Sequence, residues 1–457
     1  MTAQFQKNQC YTLTITGISN EGNGVGKIDG FTVFVPFTAV GDVIRVRLVK
    51  VLKHYAFGKV EELLTPSPDR IPADCGAYPK CGGCSLRQMS YESELQVKDQ
   101  WVRDAFQRIG GLSPDFQPIL GSESCEGYRN KAQYPFGVDA AGQVTAGFYG
   151  RHSHRVVDCP ACALQPPVFS EILYAVREFV EHRNIPIYDE QTGKGLLRNL
   201  YLRRGEETGE VMVCLVATDA QIPHIGELDR LLRKKFPNIA SICVNVNKKN
   251  TNVILGDQYV FVSGKERITD RMCGVQVEIS PASFYQVNHA QAQRLYRIAE
   301  EYAAFTGKEV LLDLYCGVGS IGLSMAERVS RLVGVEVVPS AVENARRNAQ
   351  KSGIRNARFL CADAGAAAAQ LAREGLRPDV VIVDPPRKGC SQDVLQAIVQ
   401  MAPSRVVMIS CNPSTAARDC ASLRELGYQA ETVRAVDLFP RTSHVETCVL
   451  LQRKTRF

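Results

Sequence analysis

The chain has 457 residues, 45% of them hydrophobic and 22% charged, with a formal net charge of +6. At roughly 150 residues per domain this is a globular protein of two to four domains, and the mix excludes a fibrous or largely disordered chain. The mild positive charge permits a polyanionic partner without demanding one, no stretch approaches the roughly 20 consecutive apolar residues of a membrane span, and the opening Met1–Lys7 lacks the apolar core of an export signal.

Residues 1–65 read as an all-β module. Runs such as CYTLTITGIS, FTVFVPF and VIRVRLVKV are separated by turns at Gly22, Gly24, Gly26 and Gly30. From Val43 to Lys53 apolar residues alternate with Arg45, Arg47, Lys50 and Lys53, which predicts a strand with one buried and one positive face. A small barrel with such a face fits nucleic acid, and fits equally a structural barrel with a solvated face. The proline-rich Thr65–Pro72 predicts a boundary.

Cys75, Cys81 and Cys84 follow in a C-x5-C-x2-C spacing among Gly76, Gly82 and Gly83, and Cys159 and Cys162 stand much further along. Thiolates so spaced can hold zinc or an iron–sulfur cluster, and spacing does not separate the two. The C-x3-C-x2-C of radical S-adenosylmethionine enzymes is absent. Most other cysteines of the 16 sit singly in apolar runs, as Cys214, Cys243 and Cys448 do. That predicts reduced, buried thiols and a cytoplasmic protein.

A helix is predicted from about Tyr91 to Arg108, with Leu95, Val97, Trp101, Val102, Ala105 and Phe106 at helical spacing. Residues 128–280 mix strand-like runs with helices predicted over 168–182 and 225–235, an α+β pattern. From 290 onward helices and apolar strands alternate, which predicts a parallel sheet covered on both faces. The domain reading is 1–65, 66–279 and 280–457.

Ligands bind outside the carboxyl ends of parallel strands, and three strand ends here carry chemistry. VLLDLYCGVGS (310–320) is strand, glycine loop and helix start, where Gly317 and Gly319 let backbone approach a ligand. Glu336 ends the next strand, the place of an acid that takes ribose hydroxyls. The dinucleotide fingerprint fits only approximately. The D-x-x-x-G-x-G form beginning at Asp313 resembles the S-adenosylmethionine loop of class I methyltransferases. Asp384 ends VVIVDPPR, and Cys411 ends RVVMISCNP just before a helix start at Ser414. A helix start favours thiolate.

A thiolate beside a methyl donor suggests pyrimidine chemistry. Addition of the thiolate to C6 makes C5 nucleophilic enough to take a methyl group, and a base must then remove the C5 proton. Glu446, in FPRTSHVE, shares a face with His444 on an extended segment and is the candidate base. The competing reading makes this charged pair a solvated rim.

SFYQVN (283–288), DLYCGVGS, DPPR, SCNP and PRTSHVE together resemble the RNA uracil-5-methyltransferases, over nearly the whole chain. The resemblance implies an α/β, Rossmann-like class I methyltransferase domain, an N-terminal OB-like TRAM barrel that binds RNA, and a central α+β domain. It makes Cys411 the nucleophile and Glu446 the base. It gives cofactor contacts to Gln286, Tyr315, Gly317, Glu336 and Asp384, with Asp363 near the adenine and Phe284 near the target base. Members often have Phe at the place of Tyr315 and Asn at that of Ser320. It also implies a [4Fe–4S] cluster on Cys75, Cys81, Cys84 and Cys159, rather than Cys162, that organises the RNA-binding region without redox chemistry.

A TRAM barrel with cysteines is the pattern of enzymes acting on 23S ribosomal RNA, whereas the tRNA enzyme typically lacks both. The expected substrate is therefore 23S RNA, with tRNA as alternative. A non-catalytic RNA-binding assembly factor is opposed by the intact Cys411 and Glu446. Amino-group methylation is opposed by Arg387 after Asp384-Pro-Pro. No membrane or protein partner is implied.

Overall fold

Strict alternation in the first segment produces strands with one apolar face. In the computed structural model, which describes residues 5–454, six of them (Cys10–Thr14, Gly17–Ile18, Asn23–Ile28, Phe31–Pro36, Val43–Val51 and Tyr55–Thr65) form one sheet. Residues 1–4, part of the stretch read for an export signal and of the predicted barrel, and residues 455–457, at the end of the predicted methyltransferase domain, lie outside the described residues. Ile44, Val46 and Leu48 point into the barrel core while Arg45 and Lys50 are exposed. A register slip between Leu48 and Lys50 ends the alternation and leaves Val49 outside. The barrel core also takes in Leu86 and Met89, and Trp101 Nε1 donates to Ile18 O at 2.7 Å. The module is thus sealed by the chain that follows it.

The central segment builds a seven-stranded sheet between Lys131 and Gly264. Helices Pro167–His182 and Ile225–Lys235 pack on it, as their apolar periodicity predicts.

Apart from a two-stranded hairpin (Ile268–Met272 and Val275–Ile279) and short helical turns at Ala105–Ile109 and Ala326–Arg328, the remaining elements make one α/β unit: α1 (Tyr91–Asp104), β1 (Asp115–Leu120), α2 (His289–Ala303), β2 (Val310–Leu314), α3 (Ser320–Ser324), β3 (Arg331–Glu336), α4 (Pro339–Lys351), β4 (Ala357–Cys361), α5 (Ala364–Arg373), β5 (Val380–Val383), α6 (Gln392–Met401), β6 (Arg405–Ser410), α7 (Pro413–Glu425), β7 (Tyr428–Val436) and β8 (Glu446–Arg453). The sheet order is β4-β3-β2-β5-β6-β8-β7-β1. Apolar cores lie on both faces, the class I methyltransferase arrangement.

Two features differ from the sequence expectation. First, β8 runs antiparallel to both β6 and β7. Segment 437–445 carries no helix and is too short for the crossover of a dozen or more residues that a parallel return needs. Second, the stretch 91–120 serves the α/β sheet although it falls inside the expected central unit: β1 pairs in parallel with β7. It covers an edge that would otherwise offer unpaired backbone groups. Its short DFQPIL run, with Pro118 inside, does not read as a strand, yet proline is tolerated on an edge.

Candidate active site

The sheet brings its loops to one cavity of about 1450 Å³, lined by every residue expected from the sequence to act in catalysis, hold the cofactor or ligate the cluster. After β2 the chain turns through left-handed positions at Tyr315 (φ +64°), Gly317 (+55°) and Gly319 (+82°). Tyr315 is the strained member, since only glycine takes this region freely. The turn lets Gly317 N donate to Glu336 Oε2 at 3.1 Å, while Val338 N donates to Oε1 at 2.8 Å. The acid at the end of β3 is therefore fixed by two amides. Beside it Val337 and Val338 are 60% and 48% exposed, apolar surface facing the cavity. That surface suits a flat heterocycle such as adenine.

Gly322 N donates to Asp313 Oδ2 at 2.9 Å. The other oxygen, Oδ1, is buried without a partner, and burial pushes the carboxyl up to about 8. Asp363 lines the cavity and caps α5, its Oδ1 accepting from Gly365 N at 3.0 Å and Ala366 N at 3.2 Å. Gln286 is buried, its carbonyl accepting from Asn130 Nδ2 at 2.9 Å. Phe284 on the same wall is 67% exposed, a large apolar ring held in the open.

Cys411 follows β6, and the antiparallel β8 decides its neighbour. Ser410 pairs with Thr447, so Glu446 begins its strand where Cys411 leaves the other. Asn412 caps α7 through Ser414 N, and its Nδ2 donates to Arg387 O at 3.0 Å, tying the DPPR loop to the helix start.

The helix start does not make Cys411 acidic. Burial, then the Glu446 and Asp384 carboxylates, push the half-buried thiol up to about 11 against the pull of Arg387. The thiol precedes the cap residue, and burial and two carboxylates oppose the pull of the helix start. Glu446 is only 5% exposed, and burial with Asp384 nearby raises it to about 8. Burial raises Asp384 to about 7. Only His444 is exposed as a solvated rim requires.

A family model described as tRNA (Uracil-5-)-methyltransferase matches residues 224–454, and a TRAM domain model matches residues 4–60. An uncharacterized RNA methyltransferase of Clostridium tetani is 41% identical over 98% of this chain and 97% of its own length. The chain belongs to the RNA uracil-5-methyltransferase family. A second relative, an uncharacterized RNA methyltransferase of Halalkalibacterium halodurans, is 40% identical over 99% of both chains. The crystal structure of Pyrococcus abyssi tRNA (uracil-54, C5)-methyltransferase with S-adenosyl-L-homocysteine matches 96% of this chain and 99% of its own, with TM-score 0.78 and 30% identity. The reaction is C5-methylation of uracil in RNA from S-adenosylmethionine. The expectation that a tRNA enzyme lacks the barrel is not met by this neighbour, since coverage of 96% leaves too few residues unmatched for the barrel to be missing.

The far end of the methyltransferase's cavity is walled by Cys75, Cys81, Cys84, Cys159 and Cys162. Gly82 N donates to Tyr149 O at 2.9 Å, and a β-carbon at Gly82 would lie 3.1 Å from that oxygen and 3.2 Å from the Arg151 backbone. A side chain there would push the neighbouring backbone back by a few tenths of an ångström. Cys159 N donates to Ala146 O at 3.0 Å, and the Cys159 thiol donates to Ala161 O at 3.6 Å. Arg87 is 1% exposed; its Nε donates to Asp74 at 2.5 Å, and its Nη2, beside Cys84, makes no hydrogen bond and lies 3.7 Å from Glu126 Oε1. Five thiols and a buried, incompletely paired cation suit a group that binds as thiolate ligands and carries negative charge. Among the described residues no three His, Cys, Asp or Glu side chains are drawn around a single metal ion, and no cysteine is in a disulfide. Among the described residues no helix is long and apolar enough to cross a membrane.

Sequence reasoning missed Arg87 and the donors that hold segment 437–445. Apart from Asn288 at the end of SFYQVN, none lies in a motif, and each acts through contacts between distant parts of the chain.

Proposed function

We propose that the enzyme methylates uridine through a covalent Cys411 adduct, with Glu446 as the base. The observation that carries this reading is the β6–β8 register, which sets a thiol and a buried carboxylate side by side at the mouth of the cofactor loops. Gln286, Tyr315, Gly317, Glu336, Asp363 and Asp384 would hold S-adenosylmethionine, which supplies the methyl group. Phe284 would stack on the target base.

The Cys411 thiolate adds to C6, and C5 then takes the methyl group. Once C5 carries the methyl group, an ionised Glu446 takes the C5 proton, C5–C6 becomes a double bond again, and Cys411 leaves with its electron pair. The buried carboxylate has the proton affinity for that step near neutral pH.

We further propose that Cys75, Cys81, Cys84 and Cys159 hold a [4Fe–4S] cluster and that the substrate is 23S ribosomal RNA in the cytoplasm. The thiol wall and Arg87 support the first, and the cysteines support the second. Transfer RNA is the second reading, favoured by the full-length likeness to the P. abyssi tRNA enzyme. Total RNA from cells lacking the gene, methylated with labelled S-adenosylmethionine and then mapped, tests both: label in 23S RNA supports the first reading, and label confined to tRNA replaces it.

A further inference from the structure

Segment 437–445, which delivers Glu446, is held by donors from four different parts of the chain. Its consecutive carbonyls are each taken. Leu438 O accepts from Asn288 Nδ2 at 3.1 Å, Phe439 O from Lys98 Nζ at 3.1 Å and Pro440 O from Tyr128 OH at 3.0 Å. Arg441 O accepts from Ser85 N at 3.0 Å and Leu86 N at 3.2 Å, the two residues directly after Cys84.

Lys98 is the keystone. It is fully buried on α1, and its Nζ also reaches Glu94 Oε1 at 2.7 Å and Asp437 Oδ1 at 2.8 Å. Asp437 Oδ2 accepts from Tyr91 OH at 2.9 Å, and Glu94 Oε1 accepts from Arg441 N at 2.7 Å. Arg441 sits in the left-handed region (φ +70°), and its Nη1 lies 3.5 Å from Glu94 Oε2. Two cations balance two carboxylates with no water-facing member among Lys98, Glu94 and Asp437.

A buried ion network yields little net stability, because desolvation offsets its attraction. What it does yield is a fixed geometry, since removing one charge strands its partners. We propose that Lys98 is a positioning residue for methylation. Through this clamp it holds the 437–441 backbone, and so sets the place of Glu446 against Cys411 and the target base. One jaw of the clamp is the backbone following Cys84, so the fold of the cysteine segment is felt at the same carboxylate.

The inference rests on Glu446 being the base, and its test separates the two claims. Full-length Lys98→Met is assayed with labelled S-adenosylmethionine and total RNA from cells lacking the gene, beside wild type and Glu446→Gln. A displacement of about 1 Å slows chemistry roughly a hundredfold, so Lys98→Met should turn over at least about 30-fold more slowly at saturating RNA. S-adenosylhomocysteine affinity and half-saturating RNA should stay within about threefold. A labelled, denaturation-resistant RNA–protein adduct should accumulate, because elimination is the step that lags. Turnover within about twofold of wild type per folded molecule, or slowing without the adduct, overturns the clamp. Should Lys98→Met fail to fold, Tyr128→Phe removes the Pro440 jaw alone. It should slow turnover about three- to tenfold with the same adduct, and unchanged turnover there overturns the clamp equally. If Glu446→Gln itself shows no adduct, the base assignment has failed, and the clamp falls with it.

Discussion

The two ends of the cavity are built by opposite means. At the methyl-transfer end Asp384, Cys411 and Glu446 stand at strand ends, so the register of the sheet fixes their separation before any side chain packs. At the cysteine end Cys75, Cys81 and Cys84 ride on loop between the barrel and α1, held by scattered amides and by Gly82 against Tyr149. The first end is placed by regular hydrogen bonding. The second depends on whatever its thiols bind. Loss of a side chain at the strand ends should therefore remove chemistry and leave structure, and loss at the loops should do the reverse.

The sharpest contrast comes from Cys411→Ala. Methylation should fall at least about a thousandfold, as for loss of a covalent nucleophile. S-adenosylhomocysteine binding and melting temperature should be nearly unchanged, and a variant that unfolds would break the comparison. Cys81→Ser should do the opposite: anaerobically purified protein loses its iron, sulfide and brown colour, and melts several degrees lower. Stoichiometric zinc without iron in the wild-type protein would refute the cluster.

Glu446 links the site to pH. Its folded-state pKa of about 8 lies above the ordinary carboxylate range. The folded protein therefore binds that proton more tightly than the unfolded chain. The associated stability is full below the ordinary range and is lost as pH rises through about 8. Glu446→Gln removes that loss, so its melting advantage over wild type should grow from pH 5 to pH 8.5, by differential scanning calorimetry. The same substitution removes a negative neighbour of Cys411, so alkylation of the thiol by iodoacetamide, followed on its peptide by mass spectrometry, should titrate below about 11. An unchanged profile would separate the two side chains.

The smallest effect is expected on the barrel. Arg45→Glu with Lys50→Glu should weaken RNA binding several-fold at low salt and flatten its salt dependence. Deleting residues 1–65 is a poorer test, because Leu86, Met89 and Trp101 would lose their cover. Unchanged affinity in the charge-reversed protein would make the barrel merely structural.

Legibility in the sequence follows the same division. Strand ends repeat a pattern, apolar run then chemistry, so Glu336, Asp384 and Cys411 could be read directly. The α2 to α7 helices could be read from their period. The antiparallel turn into β8 could not be read, because it depends on the absence of a helix in 437–445. The period predicts α1 itself, but neither its placement nor that of β1 on this sheet could be read, because their partners lie more than 300 residues away, as in the Lys98–Asp437 contact. The protonation of Glu446 was also hidden, since FPRTSHVE reads as polar until the fold buries it. Whether Cys159 or Cys162 serves as the fourth thiol was open to spacing, and both line the cavity.

The covalent account is tested most directly by the Glu446→Gln protein mixed with labelled S-adenosylmethionine and unmethylated RNA, then run on a denaturing gel. With its base gone, the enzyme should still add Cys411 to C6 and still accept the methyl group at C5, but the thiolate should be unable to leave. A slow band carrying methyl label, with the RNA attached at the Cys411 peptide, is the predicted result. Normal turnover, or slow turnover with RNA bound and no labelled band, would contradict it and move the base to another group.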